Sequence, residues 1–291
     1  MSGLDESDAA FADERDRLFG LAYRLLGSVT EAEDVVQDAW LAWRRRDRSE
    51  VRDPPAFLTT LVSRRCLDVL RSARVRRETY VGPWLPEPLV TTGDDPVAGA
   101  VELEASVRMA FLVVLESLSP AERTAFVLRE VFGHGYDDLA RILDRSPEAC
   151  RQLVARARGH VRARRPRFEP DPQVVGAAVR RFLAAALTGE VTDLVAVLHP
   201  DVDLVTDGGG RVSAARNVVV GSTRVARFFI GLRDRYAGAE AALVVVNGAP
   251  GVILRLPDGD TSVFALDVED DLVRRVHVVR NPDKLAHLAR Q

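Results

Sequence analysis

Apolar positions recur at helical spacing through the first quarter of the chain. Phe11, Leu18, Leu21, Ala22, Leu25 and Leu26 mark one amphipathic helix, which Gly27-Ser28 ends. Thr30, with Glu33 three places on, has the form of a capping box and predicts the start of a second helix. On it Val35, Val36, Ala39, Trp40 and Trp43 share an apolar face, while Glu31, Asp34, Gln37 and Asp38 lie largely elsewhere. Asp53-Pro54-Pro55 then breaks the chain. A third helix is expected from about Ala56 to Arg76, with Phe57, Leu58, Leu61, Val62, Leu67 and Leu70 as its apolar set. Its polar side is basic: Arg64, Arg65, Arg71, Arg74, Arg76 and Arg77.

The pattern stops between Val81 and about Gly99, where four prolines and two glycines predict an extended linker. Helical spacing resumes from about Val101 and carries Met109, Leu112, Val113, Leu115 and Leu118. Ser119-Pro120 fits an N-cap followed by proline at the first helical position, and helices over about 120–132 and 136–144 follow. Ser146-Pro147-Glu148 repeats that signal and opens a fourth helix to about Ala163. Arg165-Pro166-Arg167, with Pro170 and Pro172, marks a second boundary. Beyond it two helices (174–187 and 191–198) precede strands at 202–206, 242–247, 251–256, 261–268 and 272–279, with a helix at about 222–236 among them. An all-α region is thus joined to an α+β domain. The boundaries fall at 1–80, 81–100 (linker), 101–168 and 169–291.

The 291 residues suit about two domains by length, and 47% hydrophobic content excludes wholesale disorder. No apolar run reaches the ~18–20 residues of a membrane span, and the acidic N-terminus lacks the form of a secretory signal. Cys66 and Cys150 have neither metal-ligand nor redox spacing. A soluble, reduced, cytoplasmic protein is expected, without metal or cofactor. The net charge of −3 conceals segregation: residues 81–118 carry one basic and six acidic side chains, residues 119–168 eleven basic and six acidic. Lys284 is the single lysine among 40 basic residues.

Residues 136–158 have the spacing of a helix-turn-helix: a supporting helix Tyr136 to Leu143, a turn at Asp144 to Ser146 and a second helix from Pro147. Such a second helix enters the major groove with its N-terminal half against base edges. Arg151, Gln152 and Ala155 share its outward face, with Ala149, Leu153 and Val154 inward. Arg can bond guanine and Gln adenine, whereas Arg156, Arg158, Arg162, Arg164 and Arg165 suit phosphates. Spacing alone also fits a helical hairpin with a solvated basic face.

The order of these blocks resembles bacterial sigma factors of the extracytoplasmic-function (ECF) class over roughly residues 11–165. The motifs are Leu25-Leu26-Gly27-Ser28 through Glu31-Ala32-Glu33-Asp34-Val35-Val36-Gln37-Asp38, then Leu67-Asp68-Val69-Leu70-Arg71, Leu118-Ser119-Pro120-Ala121-Glu122-Arg123 and Arg156-Ala157-Arg158. The resemblance implies contact with core RNA polymerase around Asp34, Gln37, Asp38 and Trp40. It implies −10 promoter contact through the third helix and the loop before it, here Phe57, Arg64, Arg65 and Arg71, where an unstacked base needs a pocket and the single strand needs cations. The −35 element falls to Arg151, Gln152, Ala155, Arg156 and Arg158. Phe57 and Arg64 stand where many family members have Trp and Asn.

Trp84-Leu85-Pro86-Glu87-Pro88 in the linker looks like the signature of ECF members with a fused SnoaL-like C-terminal domain. Asp207-Gly208-Gly209-Gly210 and Asn281-Pro282-Asp283-Lys284-Leu285 are two further signatures of that subgroup. The resemblance implies two all-α sigma domains, the second with the helix-turn-helix, plus an α+β SnoaL-like cone whose three motifs form regulatory contacts. Core polymerase and promoter DNA are the implied partners, with a small-molecule ligand in the cone as a further candidate and no membrane. Some proteins of this fold use Asp and His as acid and base; His199, Asp201, Asp203, Asp207 and His277 are the candidates here. His199-Pro200-Asp201 reads as a helix close and His277 as an outward strand position, so no catalysis is expected. The competing reading is a one-component DNA-binding regulator with a ligand-sensing C-terminal domain.

Overall fold

The structure, a computed structural model, describes residues 6–47, 51–91, 107–164 and 171–290, with the side chains of residues 6–9, 73–78, 164 and 289–290 left aside. The expectations placed on Arg74, Arg76, Arg77, Arg164, Arg165 and on residues 92–106 lie outside the described residues. The chain forms two compact units, residues 1–78 with 114–165, and residues 79–113 with 166–291.

In the first unit, α1 (Glu6–Leu26), α2 (Val29–Arg44) and α3 (Pro54–Glu78) enclose Leu18, Leu21, Leu25, Val35, Ala39, Leu58, Val62 and Leu70. Helix α2 starts before the expected Thr30–Glu33 box. Ser28, extended at φ −130°, accepts from the Glu31 amide at 3.1 Å and is the true N-cap. Asp53 likewise accepts from the Ala56 amide at 3.1 Å, and the two prolines occupy the first turn of α3, where their missing N–H groups cost nothing. The chain continues with α4 (Met109–Glu116), α5 (Pro120–Phe126), a π-helical turn (Val127–Val131), α6 (Tyr136–Leu143) and α7 (Pro147–Arg164). Ser119 and Glu122 form the reciprocal capping box, and Ser146 accepts from the Ala149 amide at 3.1 Å, as the Ser-Pro signals imply.

Arg123 joins the two halves of this unit. Its buried guanidinium donates to the Leu115 and Leu25 carbonyls, each at 2.9 Å, and to Glu116 Oε1 at 2.6 Å. Burial pushes its pKa down to about 9. Arg64 on α3 donates to the Arg141 carbonyl of α6 at 2.6 Å.

The second unit is a seven-stranded sheet of order β1-β4-β5-β6-β7-β2-β3: β1 (Val90–Thr91), β2 (Leu198–Asp207), β3 (Val219–Val220), β4 (Glu240–Val246), β5 (Ala249–Arg255), β6 (Thr261–Glu269) and β7 (Leu272–Val279). Among the described residues only β2 and β7 run parallel. Helices α8 (Pro172–Thr188), α9 (Val191–Val197) and α10 (Ser222–Ile230) cover one face, around Val179, Phe182, Leu204, Phe229, Val252, Leu254, Phe264 and Val276. The opposite face packs Val244, Val246, Ile253, Val263, Ala265 and Val279 against Leu85, Val90 and Met109 from residues 79–113 and Leu285 from α11 (Pro282–Leu285). The expected α+β domain, with helices packed on a sheet, is therefore formed.

Four local expectations are corrected. The segment read as an extended linker is in part a strand, since Val90 and Thr91 pair with Val246 and Val245 at the sheet edge. The helix expected to Tyr236 stops at Ile230, and Asp234–Tyr236 is a separate 3₁₀ turn. His199-Pro200-Asp201 opens β2 and does not close a helix. His277 is fully buried, because both faces of its strand are covered. Among the described residues no helix is long and apolar enough to cross a membrane.

Candidate promoter, polymerase and linker-binding sites

The helix-turn-helix forms as its spacing implies. Asp144, left-handed at φ 53°, ends α6 and turns the chain toward α7. Leu153, Val154 and Ala157 are buried against α6 and its neighbours, leaving Arg151, Gln152, Ala155, Arg156 and Arg158 exposed on α7. Ala149 is only half-buried, and Cys150 takes the inward position beside it. Arg151 reaches Glu148 at 3.4 Å and lies over the Tyr136 ring at 5.3 Å. Two of the expected phosphate contacts have internal partners in the free protein: Arg156 lies 3.4 Å from Glu122 and Arg158 2.7 Å from Glu130.

On α2, Asp34, Gln37 and Asp38 are exposed and Trp40 is half-buried, its ring 5.0 Å from Phe11. Phe11, Val36, Gln37 and Trp40 line a shallow apolar groove of about 550 Å³. On α3, Arg64, Arg65 and Arg71 are exposed, while Leu67 and Leu70 are core. Phe57 is half-buried against Trp43, with ring centroids 6.0 Å apart and the Arg46 guanidinium 5.8 Å from its ring. Arg64 and Arg71 also line a polar cleft of about 660 Å³ closed by Ile142, Leu143, Asp144 and Arg145 of the helix-turn-helix. Thus α3 and the helix-turn-helix turn share a surface in this structure.

The three motifs of the linker and C-terminal domain converge on one carboxylate. Asp207, at the end of β2 and fully buried, accepts from Tyr80 Oη at 2.6 Å, the Leu85 amide at 2.8 Å, the Gly209 amide at 3.1 Å and Lys284 Nζ at 2.7 Å. Lys284, the single lysine, is itself buried; it also donates to the Leu85 carbonyl and lies 3.9 Å from the Trp84 ring centroid and 5.1 Å from that of Tyr80. Asn281 donates to Tyr80 Oη at 2.9 Å and caps α11 by accepting from the Asp283 amide at 3.0 Å. Gly209 is left-handed at φ 60°, and a Cβ there would lie 2.3 Å from Asn281 Nδ2, so only glycine permits this approach. Gly210, also left-handed, faces Val81, and Gly208 has Val212 against it. Asp283 pairs with Arg211 at 3.2 Å, Pro282 starts α11, and Leu285 is core. Leu85, Pro86, Glu87 and Pro88 are buried, with Trp84 half-buried.

Residues outside the motifs complete this clasp. Asn247, fully buried in the Asn-Gly turn between β4 and β5, exchanges hydrogen bonds with Leu89 and donates to the Val107 carbonyl at 2.9 Å. A ring nitrogen of His287 lies 2.9 Å from the Pro88 carbonyl. Asn-Gly signals a tight hairpin, but nothing local marks Asn247 as a linker anchor. Tyr80 Oη is raised above the ordinary phenol range by burial and by Asp207.

Three of the acid–base candidates have other engagements. Asp207 is taken up by the four donors above. His199 Nδ1 accepts from the Asp201 amide at 3.1 Å, and Asp203 pairs with Arg275 at 3.2 Å. His277 is held neutral, pushed down to about 3 by burial and then by Arg275. Among the described residues no cluster of three or more His, Cys, Asp or Glu could hold a metal.

Known proteins match this architecture. Residues 10–76 match Sigma-70 region 2, and residues 108–161 match Sigma-70, region 4. With the helix-turn-helix exposed on α7, these matches define a sigma-70-type transcription initiation factor. The chain is 43% identical over 284 residues to the ECF RNA polymerase sigma factor SigJ of Mycobacterium tuberculosis, covering 93% of this chain and 90% of that protein. It is 33% identical over 291 residues to the probable ECF RNA polymerase sigma factor SigI of the same species, covering 98% and 97%. The crystal structure of SigJ matches with a TM-score of 0.78 at 40% identity, covering 96% of this chain and 98% of that one. The chain belongs to the ECF RNA polymerase sigma factors, with a SnoaL-like domain at its C-terminal end.

Proposed function

We propose that the C-terminal domain of this sigma factor tunes promoter recognition by fastening the linker between the two promoter-reading modules. The observation that carries this reading is Asp207, one buried carboxylate that takes hydrogen bonds from the linker at Tyr80 and Leu85 and an ion pair from Lys284. Residues 79–91 and 107–113 belong to the C-terminal unit, so releasing them lengthens the tether that region 2 and region 4 share. Arg151, Gln152 and Ala155 read the −35 element, with Arg156 and Arg158 on phosphates. Phe57, Arg64, Arg65 and Arg71 serve the −10 element, and Asp34, Gln37, Asp38 and Trp40 face core polymerase.

Promoter geometry supports a rearrangement on loading. The −10 and −35 elements lie about 25 base pairs apart, roughly 85 Å along B-form DNA. Arg64 is 2.6 Å from the helix-turn-helix at Arg141. With that bond in place the two readers cannot occupy both elements, so loading separates them.

The test is run-off transcription with core polymerase, using the full chain, Lys284→Met, a chain ending near Arg167 and a chain lacking residues from Asn281 onward. The three altered chains should differ from the full chain in promoter output while binding isolated −35 DNA with unchanged affinity. Identical output from all four chains would refute the tuning role, and no promoter-specific transcript from any would refute the promoter assignment.

A further inference from the structure

The helix-covered face of the C-terminal sheet opens into a cavity of about 420 Å³, within the roughly 300–1,000 Å³ of small-molecule sites. Phe182, Ala186, Phe229, Val252, Leu254 and Phe264 form its walls. Phe182 and Phe229 meet edge to face with ring centroids 5.2 Å apart, which fixes the aromatic wall. Leu187, which also lines the cavity, is 37% exposed and places an apolar side chain where the space meets solvent.

Polar chemistry in the lining centres on Arg233, its single cationic side chain. The guanidinium donates through Nη2 to the neutral Gly189 carbonyl. Its Nε is buried and has no hydrogen-bond partner. Asp234, the lining carboxylate, is exposed to solvent, and no hydrogen bond joins it to Arg233 among the described residues. A cation in a largely apolar lining, bonded only to a neutral carbonyl among the described residues, is matched best by an anionic acceptor.

We propose that this cavity binds a small carboxylic acid with an apolar body, the carboxylate on the Arg233 guanidinium and the hydrocarbon against Phe182, Phe229 and Phe264. An alcohol of the same length satisfies the hydrogen bond but not the charge, and an amine meets a like charge. The site is separate from the Asp207 clasp, and binding is read on the free protein, so the tuning role and this site stand or fall independently.

The test is calorimetric titration of the full chain with decanoate, decanol and decylamine. Decanoate should bind saturably and at least roughly tenfold tighter than decanol, the margin of a charge-assisted hydrogen bond, with decylamine weakest. Arg233→Gln should bring decanoate down to the level of decanol. Val252→Phe, which fills the cavity from the sheet, should weaken both. Absence of saturable decanoate binding, equal affinity for acid and alcohol, or a preference for the acid that survives Arg233→Gln would overturn the proposal. The three-probe comparison on the unaltered chain decides the matter even where a variant does not fold.

Discussion

The ion pair between Asp207 and Lys284 offers a quantitative test of how the linker is held. The two side chains are 0% and 8% exposed and 2.7 Å apart, so neither charge has water to fall back on. Asp207→Asn is nearly isosteric but removes the carboxylate that pairs with the Lys284 ammonium, and it points an amide donor at the ring of donors formed by Tyr80, Leu85 and Gly209. Breaking one side of a buried pair costs about 3–5 kcal/mol. Lys284→Met keeps the aliphatic stem near Trp84 and strands the carboxylate instead, at similar cost. Combining the two removes both charges, so the double variant should lose at least about 2 kcal/mol less than the sum of the singles. Hydrogen exchange of the Leu85 amide is a direct assay, because that N–H donates to Asp207 at 2.8 Å. Each 1.4 kcal/mol of local opening is a tenfold change, so either single variant should speed exchange roughly 100-fold or more. Acceleration below about threefold in Asp207→Asn, or strictly additive costs, would refute the assignment of Asp207 as the anchor.

At the promoter surface, Arg151→Ala should lose discrimination among −35 sequences, whereas Arg162→Ala should weaken binding evenly and lower the salt slope by about 1 in fluorescence-anisotropy titrations; equal loss of discrimination would refute the groove assignment. In the first unit, Arg123→Met removes the ion pair to Glu116 and the bond to Leu25, and should cost about 3–5 kcal/mol in urea unfolding; a loss under about 1 kcal/mol would show that the buried guanidinium holds little. The pH response of the second unit follows from two groups on its linker-covered face. His277, pushed down to about 3, is protonated first in the unfolded chain, so its contribution is complete above about 6.5 and drains as pH falls toward 3. Asp267, which pairs in register with Arg275, is pushed up to about 6 by burial against the pull of Arg275 and Arg108; it acts oppositely, contributing below about 3.8 and losing that contribution as pH rises through 6. His277→Leu should therefore flatten the loss of urea midpoint between pH 6.5 and 4, and an unchanged profile would exclude His277 as its source.

The helices of the first unit were legible because each buries one stripe, so Leu18, Leu21 and Leu25 or Leu153, Val154 and Ala157 repeat at helical spacing. The Ser-Pro pairs at 119 and 146 located two starts to the residue, since a hydroxyl cap and a fixed φ act locally. The Thr30–Glu33 pair fitted the same rule and failed, because left-handed Gly27 lets Ser28 reach the cap position first. Strands β1 and β3, two residues each, are too short to show a period. His277 was misread for a different reason: alternation separates inside from outside only when one face meets water, and here the linker covers the second face. The three motifs of the linker and C-terminal domain were visible singly, but their meeting at Asp207 joins positions 80, 85 and 284, and nothing local marks Asn247 as a linker anchor or Arg233 as a cavity residue.

The sheet itself relates the linker to the cavity. Strand side chains alternate between faces, so neighbouring residues of β5 and β6 serve different clients. Val252 and Phe264, opposite each other in the ladder, line the cavity; Ile253 and Val263, the next pair along, support Leu85, Val90 and Met109. Gly251 shows how little slack this layer has, since a Cβ there would lie 2.5 Å from the Phe264 carbonyl and 2.6 Å from Val246 on the neighbouring strand. Val246 in turn pairs with Val90 of the linker, and Asn247 beside it exchanges hydrogen bonds with Leu89. Close-packed interiors transmit displacement because no void absorbs it. A cavity wall and a linker seat built on alternate residues of the same two strands therefore share one mechanical element, one layer of backbone thick.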